Sequence, residues 1–265
     1  MERLGRVTRF VWAGWAGLAA LMLLCALWQA GHEAYGSFIL PPPLETFRAA
    51  LKLMADPANR EAALGTFRRA GEGFILASCG GFLLGLMAGY SPATLRMARP
   101  LLTLCLGVPP IAWIVLAMIW FGTGHGTVLA TVMIAVAPVV FVGTIEGVAQ
   151  RDRGLDTMCE AFGAGPIRRF WHSGLPQAMQ SVFPAATMAL GLSIKVAVMA
   201  ELLANAGGIG RLLATSRSNL DVNEALAWVM IAVGGLIVFE YCVLHPLRSE
   251  SERWREAARP WGVKR

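Results

Sequence analysis

Residues 150–180 read QRDRGLDTMCEAFGAGPIRRFWHSGLPQAMQ, a polar, arginine-rich segment between two long apolar runs, 127–148 and 184–203. Its punctuation predicts a short helix over 155–164, with Asp152 or Asp156 near the positive N-terminal end of its dipole. Gly163 is placed to end that helix in a left-handed turn, and Pro166 discourages direct continuation. Ile167, Phe170 and Trp171 then give an apolar edge for a second helix expected to stop at Pro176. Such a segment is either a rigid peg shown to a soluble partner or an amphipathic connector on the membrane surface, with Arg168 and Arg169 on lipid phosphates.

Outward from this loop, the composition leaves one broad class. A chain of 265 residues that is 56% hydrophobic, 15% charged and of mean hydropathy +0.56 has too much apolar surface for one soluble core, so it belongs in a bilayer. About 20 apolar residues span the roughly 30 Å of hydrocarbon as a helix. About six runs qualify: 10–28, 73–90, 101–121, 127–148, 184–203 and 225–244. The expectation is an all-α integral membrane protein, a single transmembrane domain over 1–265. The first run follows Arg3, Arg6 and Arg9 but is too long for a signal peptide, so it is read as a retained span. Placing both termini inside keeps fifteen of the 23 lysines and arginines on the cytoplasmic side, including those of the 150–180 loop and the 246–265 tail. In that tail Arg248, Glu252, Arg255, Glu256 and Arg259 suit a solvated helix. The net charge of +6 then reflects topology, and no nucleic-acid partner is needed.

The residues exclude several chemistries. Cys25, Cys79, Cys105 and Cys242 sit in apolar runs and Cys159 in the loop, so they read as small core residues and not as a disulfide set. His32, His125, His172 and His245 lack metal-ligand spacing, and there is no phosphate-binding GxxxxGK[ST] loop. Pro41, Pro42 and Pro43 end whatever follows the first run. Leu44, Phe47, Leu51 and Met54 then recur at helical spacing, as on an amphipathic helix that lies on the membrane or packs on the bundle. Gly81, Gly85 and Gly89 form one small-residue stripe, and Gly143 and Gly147 another, where helices can approach closely.

Several motifs, in one order along residues 38–260, resemble a known family. They are Leu40-Pro41-Pro42-Pro43; Thr66 to Gly73 with Arg69; Val108-Pro109-Pro110 followed by Trp120-Phe121-Gly122; and Ala200-Glu201 followed by Gly207-Gly208-Ile209-Gly210. Together they resemble the permease of binding-protein-dependent ABC importers, in particular the nitrate, sulfonate and taurine branch. That family writes its inner loop Glu-Ala-Ala, three residues, Gly, nine residues, Ile, one residue, Leu-Pro. Aligned on Gly163, Leu175-Pro176 falls in place, while Thr157-Met158-Cys159 stands at Glu-Ala-Ala, Ser173 stands at Ile, and Glu160-Ala161 is displaced by three residues.

The resemblance implies a type I ABC importer permease fold in a bacterial inner membrane, without its own ATPase or cofactor, ATP and Mg lying on a cytoplasmic ATPase dimer. A second permease subunit, most simply an identical one, and an external substrate-binding protein complete the assembly it implies. ATPase coupling is carried over to Thr157, Cys159, Glu160, Ala161, Gly163, Ala164, Leu175 and Pro176; Lys195, Glu201, Pro109 and Pro110 are the candidates for the path or gate. Lys195, inside a span, should face the bundle interior: it either lines the path of an anion such as a sulfonate, taurine or nitrate, pairs with Glu146 or Glu240, or snorkels. Glu201 either forms an outer gate or docking surface, or caps its helix in water. The alternatives of another class are an ion-coupled secondary transporter and an intramembrane enzyme.

Overall fold

The computed structural model describes residues 2–239, and the side chains of residues 19–239. The described chain is helical: α1 (Glu2–Tyr35), α2 (Pro43–Ala55), α3 (Pro57–Tyr90), α4 (Pro92–Gly107), α5 (Pro110–Phe121), α6 (His125–Ala149), α7 (Arg153–Ala161), α8 (Pro166–Arg169), a π-helical turn (Phe170–Gly174), α9 (Leu175–Ala204), α10 (Gly208–Ser218) and α11 (Val222–Phe239). Among the described residues four helices, or five if α4 and α5 count as one bent span, are long and apolar enough to cross a membrane. The run 10–28 lies within α1; the end of the 225–244 run, the 246–265 tail, Glu240, Cys242 and His245 lie outside the described residues.

The chain divides into two compact units, Met1–Arg60 with Leu213–Ile231 and Glu61–Leu212 with Ala232–Arg265. In the first, Trp28 donates its indole N–H to the Pro41 carbonyl at 2.9 Å and Thr46 Oγ1 donates to Asn223 Oδ1 at 3.0 Å. Here α2 buries Thr46 and Ala50, while Leu44, Phe47 and Leu51 stay exposed. Its apolar face is therefore uncovered by the described residues and suits lipid.

The second unit is built around α6. Val128, Val132, Val136 and Val140 recur every four residues and are all buried, one helical stripe. Both glycine stripes serve this helix. A Cβ on Gly81 would sit 2.5 Å from the Ala137 carbonyl, on Gly85 2.6 Å from Thr144 Cβ, and on Gly89 2.8 Å from Val148 Cβ. On another face, Gly143 meets Ala185 and Gly147 meets the Ala178 carbonyl so closely that neither admits a side chain. Alpha carbons thus let α3 and α9 flank α6 at backbone contact, the packing mode available where lipid is as apolar as leucine. The hydroxyls of Thr131 and Thr144 bond back to the carbonyls four residues earlier at 2.7 Å, so they bring no unsatisfied polar group into the hydrocarbon.

Two prolines act differently from expectation. The 101–121 run is not one straight span: α4 and α5 are bent by 98°. Pro110 pushes its predecessor out of helical geometry, and Pro109 is accordingly extended at φ −57°, ψ 141°. Pro176, by contrast, does not stop a helix. The wide turn ahead of it, closed by Leu175 N–H to the Phe170 carbonyl, leaves Pro176 in the first turn of α9, where a missing N–H is tolerated. Helix α3 also starts well before the 73–90 run, at Pro57. The four described cysteines are not core residues: Cys25 and Cys79 are exposed and Cys105 and Cys159 half-buried; an apolar helix in lipid has no need to turn a thiol inward.

Candidate functional site

The 150–180 loop folds as a capped peg. Asp152 Oδ1 accepts from Gly154 N–H at 2.7 Å and so caps α7, which starts at Arg153 and ends at Ala161, shorter than the 155–164 expectation at its far end. Its C-terminus closes with paired bonds, Gly163 N–H to the Glu160 carbonyl and Ala164 N–H to the Cys159 carbonyl, both 2.9 Å, with Gly163 at φ +76°. This is the geometry in which two last-turn carbonyls are satisfied by a left-handed residue.

Side chains then fasten the peg to the spans. Arg151 pairs with Asp156 at 2.8 Å and lies 4.8 Å over the ring of Tyr90, the last residue of α3. Ser173 Oγ donates to Asp156 at 3.0 Å, Gln177 Nε2 donates to Ser173 Oγ at 2.9 Å, and the Asp152 N–H donates to Gln177 Oε1 at 2.6 Å. Tyr90 packs edge-on against Phe170, 6.1 Å between centroids. A cleft of about 230 Å³ opens between Tyr90, Arg151, Asp156, Pro166, Arg169 and Phe170. These contacts tie α7 to α3 and α9 by charge and directional bonds. None of Tyr90, Arg151, Ser173 or Gln177 stands out in the sequence, since an ordinary loop has such residues too.

The crest is apolar and bare. Phe162 is 86% exposed, Ile167 73% and Trp171 60%. Thr157, Glu160, Ala161 and Gly163 are exposed beside them, Cys159 and Ala164 half-buried, and Glu160 pairs with Arg169 at 2.9 Å. Leu175 and Pro176 are half-buried at the base of α9.

The other candidates do not gather into one site. Lys195 does not face the interior of its own chain: it is exposed, between buried Ile194 and Val196, on a face of α9 shared with exposed Met188 and Met199. It makes no ion pair among the described residues, Glu146 bonding Gln150 instead. The small residues of α9 that α6 needs, Ala178 and Ala185, set the helix rotation and so turn Lys195 outward. Pro109 is exposed and Pro110 half-buried at the α4–α5 bend.

Glu201 is neither exposed nor a docking surface, being wholly buried. One carboxylate oxygen accepts from Arg69 Nε at 2.9 Å and Nη2 at 2.5 Å; the other accepts from Thr66 Oγ1 at 2.8 Å and from Gly210 N–H at 3.1 Å. Thr66 Oγ1 in turn accepts from Ile209 N–H at 2.8 Å. Two orphan donors at the start of α10 are thus capped, one by Glu201 nine residues earlier and one by Thr66, 143 positions away in sequence. A Cβ on Gly208 would come within 2.5 Å of both Arg69 Nη2 and Glu201 Oε2, which explains the glycines after the Ala-Glu pair. Sequence reasoning noted each of these residues in a motif but not their convergence.

Comparison with known proteins bears on this arrangement. Residues 81–244 match the family described as binding-protein-dependent transport system inner membrane component. The chain is 25% identical to the taurine transport system permease protein TauC of Escherichia coli (strain K12), over 84% of this chain and 82% of that one. It is 28% identical to the riboflavin transport system permease protein RibX of Chloroflexus aurantiacus (strain ATCC 29366 / DSM 635 / J-10-fl), over 91% and 90%. In fold it is similar to a chain of the MetNI methionine ABC transporter solved in inward-facing conformations, with a TM-score of 0.52, 16% identity, and 72% of this chain and 94% of that chain covered.

Proposed function

We propose, for a chain that belongs to the family of binding-protein-dependent transport system inner membrane components, that α7 and the Gly163 turn are the seat of a cytoplasmic ATPase and that α9 lines the path of a small anionic solute. As a member of that family the chain is a multi-pass inner-membrane ABC importer permease, and it does not hydrolyse ATP itself. An ATPase and a binding protein complete such a system.

The single observation that carries the coupling reading is the union of a bare crest with a rigid base. Phe162, Ile167 and Trp171 expose large apolar surface, which on a water-facing loop marks a protein-binding patch. Beneath them the Arg151, Asp156, Ser173 and Gln177 contacts hold the crest to α3 and α9, so a push on it moves spans and does not merely bend a loop. In an alternating-access cycle nucleotide-driven closure of two ATPases draws two such loops together, and hydrolysis resets them. Two copies of this chain are the simplest pair of permeases.

The test is co-purification of the cognate ATPase. Gly163→Val puts a β-branched residue at φ +76°, a strain of about 1–3 kcal/mol, and is expected to release the ATPase from the detergent-solubilised complex. Gly163→Asn, which tolerates that conformation, should retain it. Full retention by Gly163→Val together with Phe162→Ala would sink the coupling reading and favour an ion-coupled transporter.

The anionic substrate rests on Lys195, a cation left exposed among the described residues within a span, and on the taurine permease among the relatives. Such a charge draws an anion along a path shared by two subunits. Once the ligand of the cognate binding protein is identified, Lys195→Met is expected to slow its uptake roughly tenfold, about 1.4 kcal/mol, with the ATPase still bound. Unchanged uptake would remove Lys195 from the path.

A further inference from the structure

Two polar ties join the same pair of helices, about a membrane's thickness apart. One is the Tyr90, Arg151, Asp156, Ser173 and Gln177 set at the end of α3 and the start of α9. The other is the Arg69–Glu201 pair with Thr66. At about 1.5 Å of rise per residue, Arg69 lies about 32 Å along α3 from Tyr90, and Glu201 about 36 Å along α9 from Gln177. Both separations match the roughly 30 Å of hydrocarbon.

Between the ties the contacts through α6 are small-residue and valine packing. Each dispersion contact of that kind is individually small, and none of them pairs one specific polar atom with another. A carboxylate held by four hydrogen bonds from Arg69, Thr66 and Gly210 fixes axial register instead. A buried ion pair is a poor source of net stability compared with apolar residues of the same volume, and fixing register is its best-attested use.

We propose that Arg69 and Glu201 are positioning residues of the transport cycle: they bind the parts of α3 and α9 remote from α7 into one body, so that a displacement of α7 crosses the membrane without the two spans shearing. This rests on the reading that α7 receives the motion of the ATPase. Without the remote tie the near ends still follow the loop, while the far parts lag.

The experiment uses the full chain with its ATPase in lipid nanodiscs, the five native cysteines replaced by alanine and spin labels placed at Arg68→Cys and Leu203→Cys. Dipolar broadening gives the label separation at rest and after trapping with Mg-ATP and vanadate. With the Arg69–Glu201 pair intact the separation is expected to stay constant between the two states. In Arg69→Met/Glu201→Gln, which leaves no unpaired charge and retains acceptors for Thr66 and Gly210, it is expected to change by roughly half a helical turn, about 3 Å, with ATP hydrolysis retained. A merely structural pair would alter assembly or hydrolysis and leave the separation equal in both states. A separation that changes on trapping with the native pair, or stays constant in the double variant, overturns the inference alone. If the double variant does not assemble, Arg69→Lys, which retains the charge but loses the two-point grip, is measured in the same way; a constant separation there overturns it. An ATPase that does not bind at all overturns the coupling reading and this inference with it.

Discussion

Glu201→Ala is expected to destabilise the folded permease by about 3–5 kcal/mol, a large part of the margin of most folded proteins. Glu201 is fully buried, and the Arg69 side chain it holds is only 12% exposed. Removing the carboxylate therefore strands a guanidinium in a low-dielectric site, and it also strips the acceptor from the Gly210 N–H at the start of α10. The double change Arg69→Met/Glu201→Gln removes the charge with its partner, and its cost is expected to fall well below that of the single change. Thermal unfolding of the detergent-solubilised protein followed by size-exclusion fluorescence measures both. A single variant as stable as the native chain, or a double variant as unstable as the single one, would contradict the buried-pair account.

Gly81→Val is the second large effect. A Cβ there would lie 2.5 Å from the Ala137 carbonyl and 3.2 Å from the Phe141 nitrogen. Both are helix backbone atoms, which cannot swing aside as a side-chain tip would, so α3 must move off α6. Overpacking costs about 1–3 kcal/mol where neighbours relax, and this site should reach or exceed the upper end of that range. Gly80→Ala, next along the helix, places its Cβ in open space and is expected to change stability by less than about 0.5 kcal/mol. Expression as a monodisperse protein and the midpoint of thermal unfolding distinguish the two. Equal behaviour would mean that the α3–α6 contact is looser than the structure has it.

How much of this was legible beforehand depends on the range of the interaction concerned. Helix ends and the loop are local matters. Asp152, Gly163 and Pro166 act on backbone groups within a few residues, so one strand of text contains both partners of each bond. The glycine spacing 81, 85, 89 likewise announces a close helix approach, although not which helix approaches. Prolines were only half legible. Pro109-Pro110 breaks its run and Pro176 does not, because the π-helical turn before Pro176 removes the clash. Phe170, the first residue of that turn, packs edge-on against Tyr90 of α3, a contact no local pattern announces.

Lys195 shows the limit on a single helix. Its span is apolar on nearly every side, so periodicity contains no rotation angle, and the interior expectation was wrong for the lone chain. The rotation comes from Ala178 and Ala185 meeting Gly147 and Gly143 of α6. Arg69 and Glu201 show the limit across the chain. Each stands in a recognisable motif, yet they are 132 positions apart, and no local rule matches one charge to another at that distance.

Unaided, the order of residues determined that this chain lives in a bilayer as a bundle of helices, that residues 150–180 form a capped polar helical loop between two spans, and that its motifs resemble those of importer permeases. Hydropathy, capping and turn chemistry act over one to twenty residues, and they are complete in the text. Only the tertiary structure decided that Glu201 is buried against Arg69, that Lys195 looks outward, and that the loop is bolted to α3 and α9. Those outcomes depend on which helix faces meet, and facing is settled by backbone contact at glycine and alanine between segments far apart in the chain.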